Sequence, residues 1–197
     1  MLKIGITSGI GAGKTTASKL FELLGVPVYY ADDRAKQLMN EDDELKQKII
    51  THFGTSVYAS GQLDRKLLAN LIFNDEKKLA LLNSLVHPAT LADAAKWMQS
   101  QKTAYAIKEA ALIFESGSHL QLDAVIGVSA PFDLRLSRAM KRDHLPAEKV
   151  IERMNKQMPE VEKMQRCNYL LYNDEQQLLI PQVMALHQIL LQRAAVT

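Results

Sequence analysis

The sequence is poor in the residues that announce disulfide, zinc or membrane chemistry. One of its 197 residues is cysteine, Cys167. A single thiol excludes an internal disulfide and a cysteine-built zinc cluster, and it fits a reducing compartment. No apolar run approaches the roughly 20 residues that span a bilayer. The first residues lack the basic, apolar and small-residue sections of a secretion signal, so no membrane partner is expected and the expected location is cytoplasmic. An excess of one charge is missing too: 24 Lys and Arg against 22 Asp and Glu leave a formal +2. With no basic arm and no basic patch interleaved with aromatics, nucleic acid is not an expected partner. Repeats, low-complexity tracts and disordered linkers are also absent, and the length suits one compact α/β body with insertions.

What the chain does have begins at residue 7. Thr7-Ser8-Gly9-Ile10-Gly11-Ala12-Gly13-Lys14-Thr15-Thr16 follows an apolar strand over 2–6 and opens a helix that stops at Gly25. Closely spaced glycines let successive N–H groups turn inward around a phosphate, and the helix presents its positive end to the same anion. This is the pattern of a P-loop. Gly11, Ala12, Gly13, Lys14, Thr15 and Thr16 are the candidate nucleotide-binding residues, with Lys14 on the β- and γ-phosphates and the Thr15 hydroxyl on Mg²⁺. The usual spacing G-x-x-x-x-G-K-[ST] wants glycine at position 8, where this chain has Ser8. A glycine-rich turn with an incidental lysine is the plain alternative, and the order strand, loop, helix argues against it.

A second strand over 26–30 delivers Ala31-Asp32-Asp33 to its C-terminal end, the edge at which α/β sheets bind ligands. Residues 34–101 read as helical, in segments 34–39, 42–53, 65–73 and from 75 onward, with a new helix started by Pro88. Further strands read at 104–108, 124–128 and 168–172, and a helix closes the chain after Asn173-Asp174. Residues 132–156 are helical and basic, with Arg135, Arg138, Lys141, Arg142, Lys149, Arg153 and Lys156. Glu148, Glu152 and Glu160 are expected to give those cations ordinary surface partners. The expected fold class is therefore α/β: a P-loop core of parallel sheet flanked by helices (1–31, 102–131, 166–197), a helical substrate-binding insertion (32–101) and a helical lid (132–165).

Asp32, just past the second strand, is placed to accept a proton from a hydroxyl attacking the γ-phosphate; its alternative is a cap for the helix near Arg34. On physical grounds alone Arg65 is a surface ion-pair partner of Asp64 or Asp75, and His87 before Pro88 is a packing residue.

Taken in order, the loop 7–16, Ala31-Asp32 with Ala35, Phe53-Gly54, Gly61-Gln62-Leu63-Asp64-Arg65, Phe73, Leu82-Asn83 with His87-Pro88, Leu112-Ile113-Phe114-Glu115, Arg138 with Arg142, Gln157 and Asn173 resemble the dephospho-CoA kinase family over nearly the whole chain. The resemblance implies ATP- and Mg²⁺-dependent phosphorylation of the ribose 3′-hydroxyl of dephospho-CoA. It implies Asp32 as general base, with Tyr30 standing where the family has a further aspartate. It places Thr7, Asp32, Arg65 and His87 on the acceptor, Arg142 (or Arg138) in a lid over the nucleotide, and Asn173 near adenine, where a helix N-cap is the alternative. Glu109 stands where the family has an aspartate after the third strand. Asp33 is expected to cap or to be solvated, and Phe73, Leu112 and Phe114 to lie in the core or to wall the acceptor cleft. Two rival functions share the loop: a P-loop kinase for another small nucleotide or alcohol, and a nucleotide switch that transfers nothing.

Overall fold

A computed structural model describes residues 1–73 and 75–196. The chain runs β1 (Leu2–Ser8), α1 (Lys14–Leu23), β2 (Val28–Tyr30), α2 (Ala31–Glu41), α3 (Asp43–Phe53), α4 (Arg65–Ile72), α5 (Glu76–Ser100), β3 (Tyr105–Glu109), β4 (Ala124–Ser129), α6 (Phe132–Asp143), α7 (Ala147–Asn155), α8 (Glu160–Gln165), β5 (Tyr169–Tyr172) and α9 (Leu179–Val196). It divides into two compact units, residues 1–30 with 98–197, and residues 31–97.

The first unit is built on a five-stranded sheet in the order β2-β3-β1-β4-β5. All four pairings are parallel. Crossover segments must therefore carry the chain back between strands, with α-helices everywhere except in the link 110–123 between β3 and β4, and the strands read as buried apolar runs with Ile4, Ile6, Ile107 and Ile126 fully enclosed. Phe21 of α1 and Val183, Leu186 and Leu190 of α9 close the same core. A parallel sheet puts all its C-terminal strand ends on one edge, so Ser8, Tyr30, Glu109, Ser129 and Tyr172 share it. β1 is central, and the loop that follows it lies where the winding reverses, the usual ligand position in such sheets.

The second unit is helical around Leu38, Leu45, Ile49, Val57, Tyr58, Leu63, Leu68 and Leu82. Its helix starts follow local chemistry. Asp42 accepts the Leu45 N–H at 3.0 Å and Asp64 accepts the Leu67 N–H at 2.9 Å, each as an N-cap. Two boundaries differ from expectation. α2 begins at Ala31 rather than near residue 34, so Asp32 and Asp33 lie in its first turn, where negative charge suits the helix dipole. Pro88 does not start a helix but sits inside α5. It removes one N–H from the ladder, and the residue four before it, Ser84, is exposed, so the carbonyl left without that donor can be hydrated.

Candidate active site

The loop after β1 has the backbone a phosphate cradle needs. Gly11 (φ 81°) and Gly13 (φ 97°) are left-handed, a conformation that costs other residues energy. Gly13 stands at the N-cap of α1, and no side-chain cap hydrogen bond is made there among the described residues. Those donors and the helix dipole face the loop.

Lys14 and Thr15 meet at one carboxylate. Lys14 Nζ lies 2.6 Å from Glu109 Oε1, and the Thr15 hydroxyl donates to the same oxygen at 3.1 Å. Glu109 is buried and Lys14 nearly so. Their charges offset each other beside the loop. A hydroxyl and a carboxylate oxygen this close are also the hard donor pair that Mg²⁺ prefers, with phosphate and water to complete the shell. Thr16 follows on the exposed side of α1. Lys108, the residue before Glu109, points by strand alternation to the opposite sheet face, where burial lowers its pKa.

Asn173 braces the loop from β5. Its side chain donates to the Ala12 carbonyl at 2.9 Å, its N–H donates to Ser129 O at 2.8 Å, and a methyl group on Gly13 would collide with its amide. The alternative of a helix N-cap fails: α9 starts only at Leu179, and the local turn is made by Asp174, which accepts the N–H groups of Gln176 and Gln177. Thr7 is fully buried, and its hydroxyl donates to Ala111 O at 3.1 Å.

Arg135, Arg138 and Arg142 are spaced to share one face of α6, but they do different things. Arg142 is exposed and held by Asp143 through two hydrogen bonds. Arg138 donates to the Asn173 carbonyl and to Glu175. Arg135 is the one against the loop: its guanidinium lies beside Gly9 and its carbonyl beside Gly11. It pairs with Glu160 at 2.5 Å with both side chains almost covered, so Glu160 is no surface partner. Glu152, between Lys149 and Lys156, is one. No spacing rule separates Arg135 from its neighbours, and the family resemblance pointed to Arg142 or Arg138 instead.

Asp32, Arg65 and His87 belong to the helical unit. Asp32 is exposed in the first turn of α2, and Asp33 pairs with Lys36 at 2.7 Å. Arg65 is exposed and reaches the Lys36 carbonyl at 3.4 Å. The partners a plain surface reading would give it are occupied as helix caps, Asp64 by the Leu67 N–H and Asp75 by the Lys78 N–H. His87 is half-buried inside α5. Of the expected apolar wall, Phe114 is buried, whereas Phe73 is 78% exposed and Leu112 lies at the surface.

Lys163, which no sequence pattern marks, is fully buried. It donates to Ala111 O and pairs with Glu115, each at 2.9 Å, while Glu115 also accepts the Met158 N–H at 3.1 Å. Ala111 O thus receives both Lys163 and Thr7 and ties α8 to the end of β1.

The sequence model of the dephospho-CoA kinase family matches residues 2–178. A dephospho-CoA kinase of Bacteroides fragilis is 34% identical over 193 residues, covering 98% of this chain and 94% of that protein. Among solved structures, TT1252 from Thermus thermophilus superposes with a TM-score of 0.80 at 32% identity, covering 97% of each chain. Dephospho-CoA kinase from Campylobacter jejuni superposes with a TM-score of 0.70 at 26% identity over 94% of this chain and 95% of the other. With a P-loop on the central strand of a parallel sheet and a family match from the second residue to the last helix, this chain belongs to the dephospho-CoA kinase family.

Proposed function

We propose that the protein transfers the γ-phosphoryl group of ATP to the 3′-hydroxyl of the ribose of dephospho-CoA, giving coenzyme A and ADP. The observation that carries this reading is the meeting of Lys14, Thr15 and Glu109 beside a left-handed glycine loop, within a chain that matches the family along most of its length. Residues 1–31, 102–131 and 166–197 hold the nucleotide, 32–101 hold dephospho-CoA and 132–165 act as the lid.

In this reading the Gly11–Thr16 N–H groups and Lys14 bind the triphosphate. Lys14 trades Glu109 for phosphate oxygens and stabilises the charge that spreads over the γ-phosphoryl group in the transition state. Thr15, with Glu109 adjacent, would hold Mg²⁺, which neutralises charge on the β- and γ-phosphate oxygens when bound. The 3′-oxygen of the acceptor forms a bond to the γ-phosphorus as the bond from that phosphorus to the β,γ-bridging oxygen breaks, and the hydroxyl proton passes to the Asp32 carboxylate. ADP departs with the bridging oxygen. Arg65 and His87 orient the acceptor, Thr7 supports its side of the loop, Arg142 closes on the phosphates, and Asn173 keeps the adenine side in place.

The test is ADP release with dephospho-CoA present and absent, for the native chain and for Asp32→Asn. Acceptor-dependent turnover that falls about 10²–10⁴-fold in the variant, with ATP binding kept, supports the reading. Turnover on a different acceptor alone would favour a kinase of other specificity. Nucleotide binding without transfer to any acceptor would favour a switch.

A further inference from the structure

A buried ion pair stands beside the phosphate loop. Arg135 and Glu160 lie 2.5 Å apart at 11% and 12% side-chain exposure. Such pairs are poor sources of stability, because removing two charges from water offsets much of their attraction, and apolar residues of similar volume often do as well or better. This pair is also incompletely satisfied: the Nε of Arg135 is buried with no hydrogen-bond partner among the described residues. A stabilising role gives little reason for it.

Its location gives a better one. A methyl group built on Gly9 would strike the Arg135 guanidinium and the Glu160 carboxylate, and one built on Gly11 would strike the Arg135 carbonyl. Gly9 has no positive φ, so its lack of a side chain serves this close approach. The pair also has a fixed base. Glu160 Oε1 accepts the Ser129 hydroxyl at 3.1 Å at the end of β4, and one turn along the short helix α8 Lys163 is anchored to Ala111 and Glu115.

We propose that Arg135, aimed by Glu160, is a positioning residue for phosphoryl transfer: it holds the Gly9–Gly11 main chain in the shape that cradles the phosphates and acts through that loop. The proposal rests on the loop being the nucleotide site. Without the pair, Gly9 to Gly11 gain room, and their N–H groups no longer converge before ATP arrives. Loss of preorganisation of this kind costs up to about 10²-fold in rate for displacements near 1 Å.

The experiment compares Arg135→Met, Glu160→Met, the double variant Arg135→Met/Glu160→Met and Lys14→Met in the full chain, with steady-state kinetics for both substrates and thermal melting. Arg135→Met alone leaves Glu160 buried and unpaired and can fail to fold; the double variant removes both charges and keeps the test open. The expected result is a double variant with Tm equal to or above that of the native chain, kcat/KM for ATP lowered about 10- to 100-fold, and KM for dephospho-CoA within about twofold. Stability and activity then move apart, which a merely structural pair would not produce. Native kcat/KM for ATP in a folded double variant overturns the proposal, as does a loss confined to dephospho-CoA. If Lys14→Met still abolishes turnover in that case, only the positioning role falls; if Lys14→Met is also active, the loop is not the nucleotide site.

Discussion

Replacing Lys163 with methionine tests how the unit built on the sheet is braced. Lys163 is fully buried and holds two acceptors at 2.9 Å, the Ala111 carbonyl and the Glu115 carboxylate. Breaking a closed ion pair from one side costs about 3–5 kcal/mol. Two features lower the figure. Glu115 keeps 23% side-chain exposure, so its carboxylate can regain water, and Ala111 O retains the Thr7 hydroxyl. Methionine also fills much of the space of the lysine stem. The expected loss at pH 7 is about 2 kcal/mol, roughly 4–8 °C in Tm for a chain of this size. Burial alone would raise the pKa of Glu115, but the hydrogen bond from Lys163, helped by main-chain N–H groups, outweighs it and holds the carboxyl below its ordinary value. A carboxylate with a depressed folded pKa adds stability that is complete above its unfolded pKa and is lost as the pH falls through the folded one. The gap between native and Lys163→Met proteins should therefore be full at neutral pH and narrow below about pH 4.3. Melting curves followed by circular dichroism at several pH values measure it. A gap within error at pH 7, or one that stays constant on acidification, refutes the bracing argument.

Arg65→Ala should raise KM for dephospho-CoA about tenfold or more, the equivalent of one lost hydrogen bond to a charged group, with KM for ATP nearly unchanged. Initial rates with each substrate varied in turn check this, and a change confined to ATP would move Arg65 to the nucleotide side. Asp143 is held down to about 2, first by the hydrogen bond from Arg142, which outweighs the opposing effect of burial with help from Arg153. Since both arginines are half-exposed or more, screening by water keeps the benefit small. Asp143→Asn should lower Tm slightly at pH 7, with the difference gone once the solution is acidified from about pH 4 to pH 2. Melting curves of both proteins across that range would expose the opposite trend.

Local chemistry carried much of this architecture. A glycine loop between an apolar strand and an amphipathic helix, and aspartates three residues before a main-chain donor at Asp42 and Asp64, can be recognised one segment at a time. Pro88 misled because its local preference for a helix start was overruled by the packing of Leu82, Leu85, Val86 and Ala89 around it in α5. The charged residues of the basic region were harder. Glu160 and Lys163 have the spacing of an ordinary i, i+3 surface pair. In the fold neither touches the other: Glu160 turns to α6 and the end of β4, while Lys163 turns to the segment after β3. Burial of α8 against β1 and β4 decides this, and burial between distant segments leaves no periodic trace in a helix of six residues. Arg135 was missed for the same reason, since three arginines share a helix face and only the tertiary structure tells which one meets the loop.

Ser8 follows from the same geometry. It stands at the position where the common phosphate-loop spacing has glycine, yet it is still the last residue of β1, paired with Val128. Among the described non-glycine residues only His144 and Glu175 have positive φ, so the backbone at position 8 asks for no glycine. The serine hydroxyl is buried and donates to the Gly9 carbonyl at 2.9 Å, which satisfies it without occupying the cradle. The left-handed turns fall at Gly11 and Gly13, and the need for a missing side chain falls at Gly9 under Arg135 and Glu160. The glycine requirement has thus moved one residue along the loop, to the place where the buried ion pair presses on it. Phosphate binding by Gly11 to Thr16 is compatible with serine at position 8 because the features that shape the cradle lie beyond it.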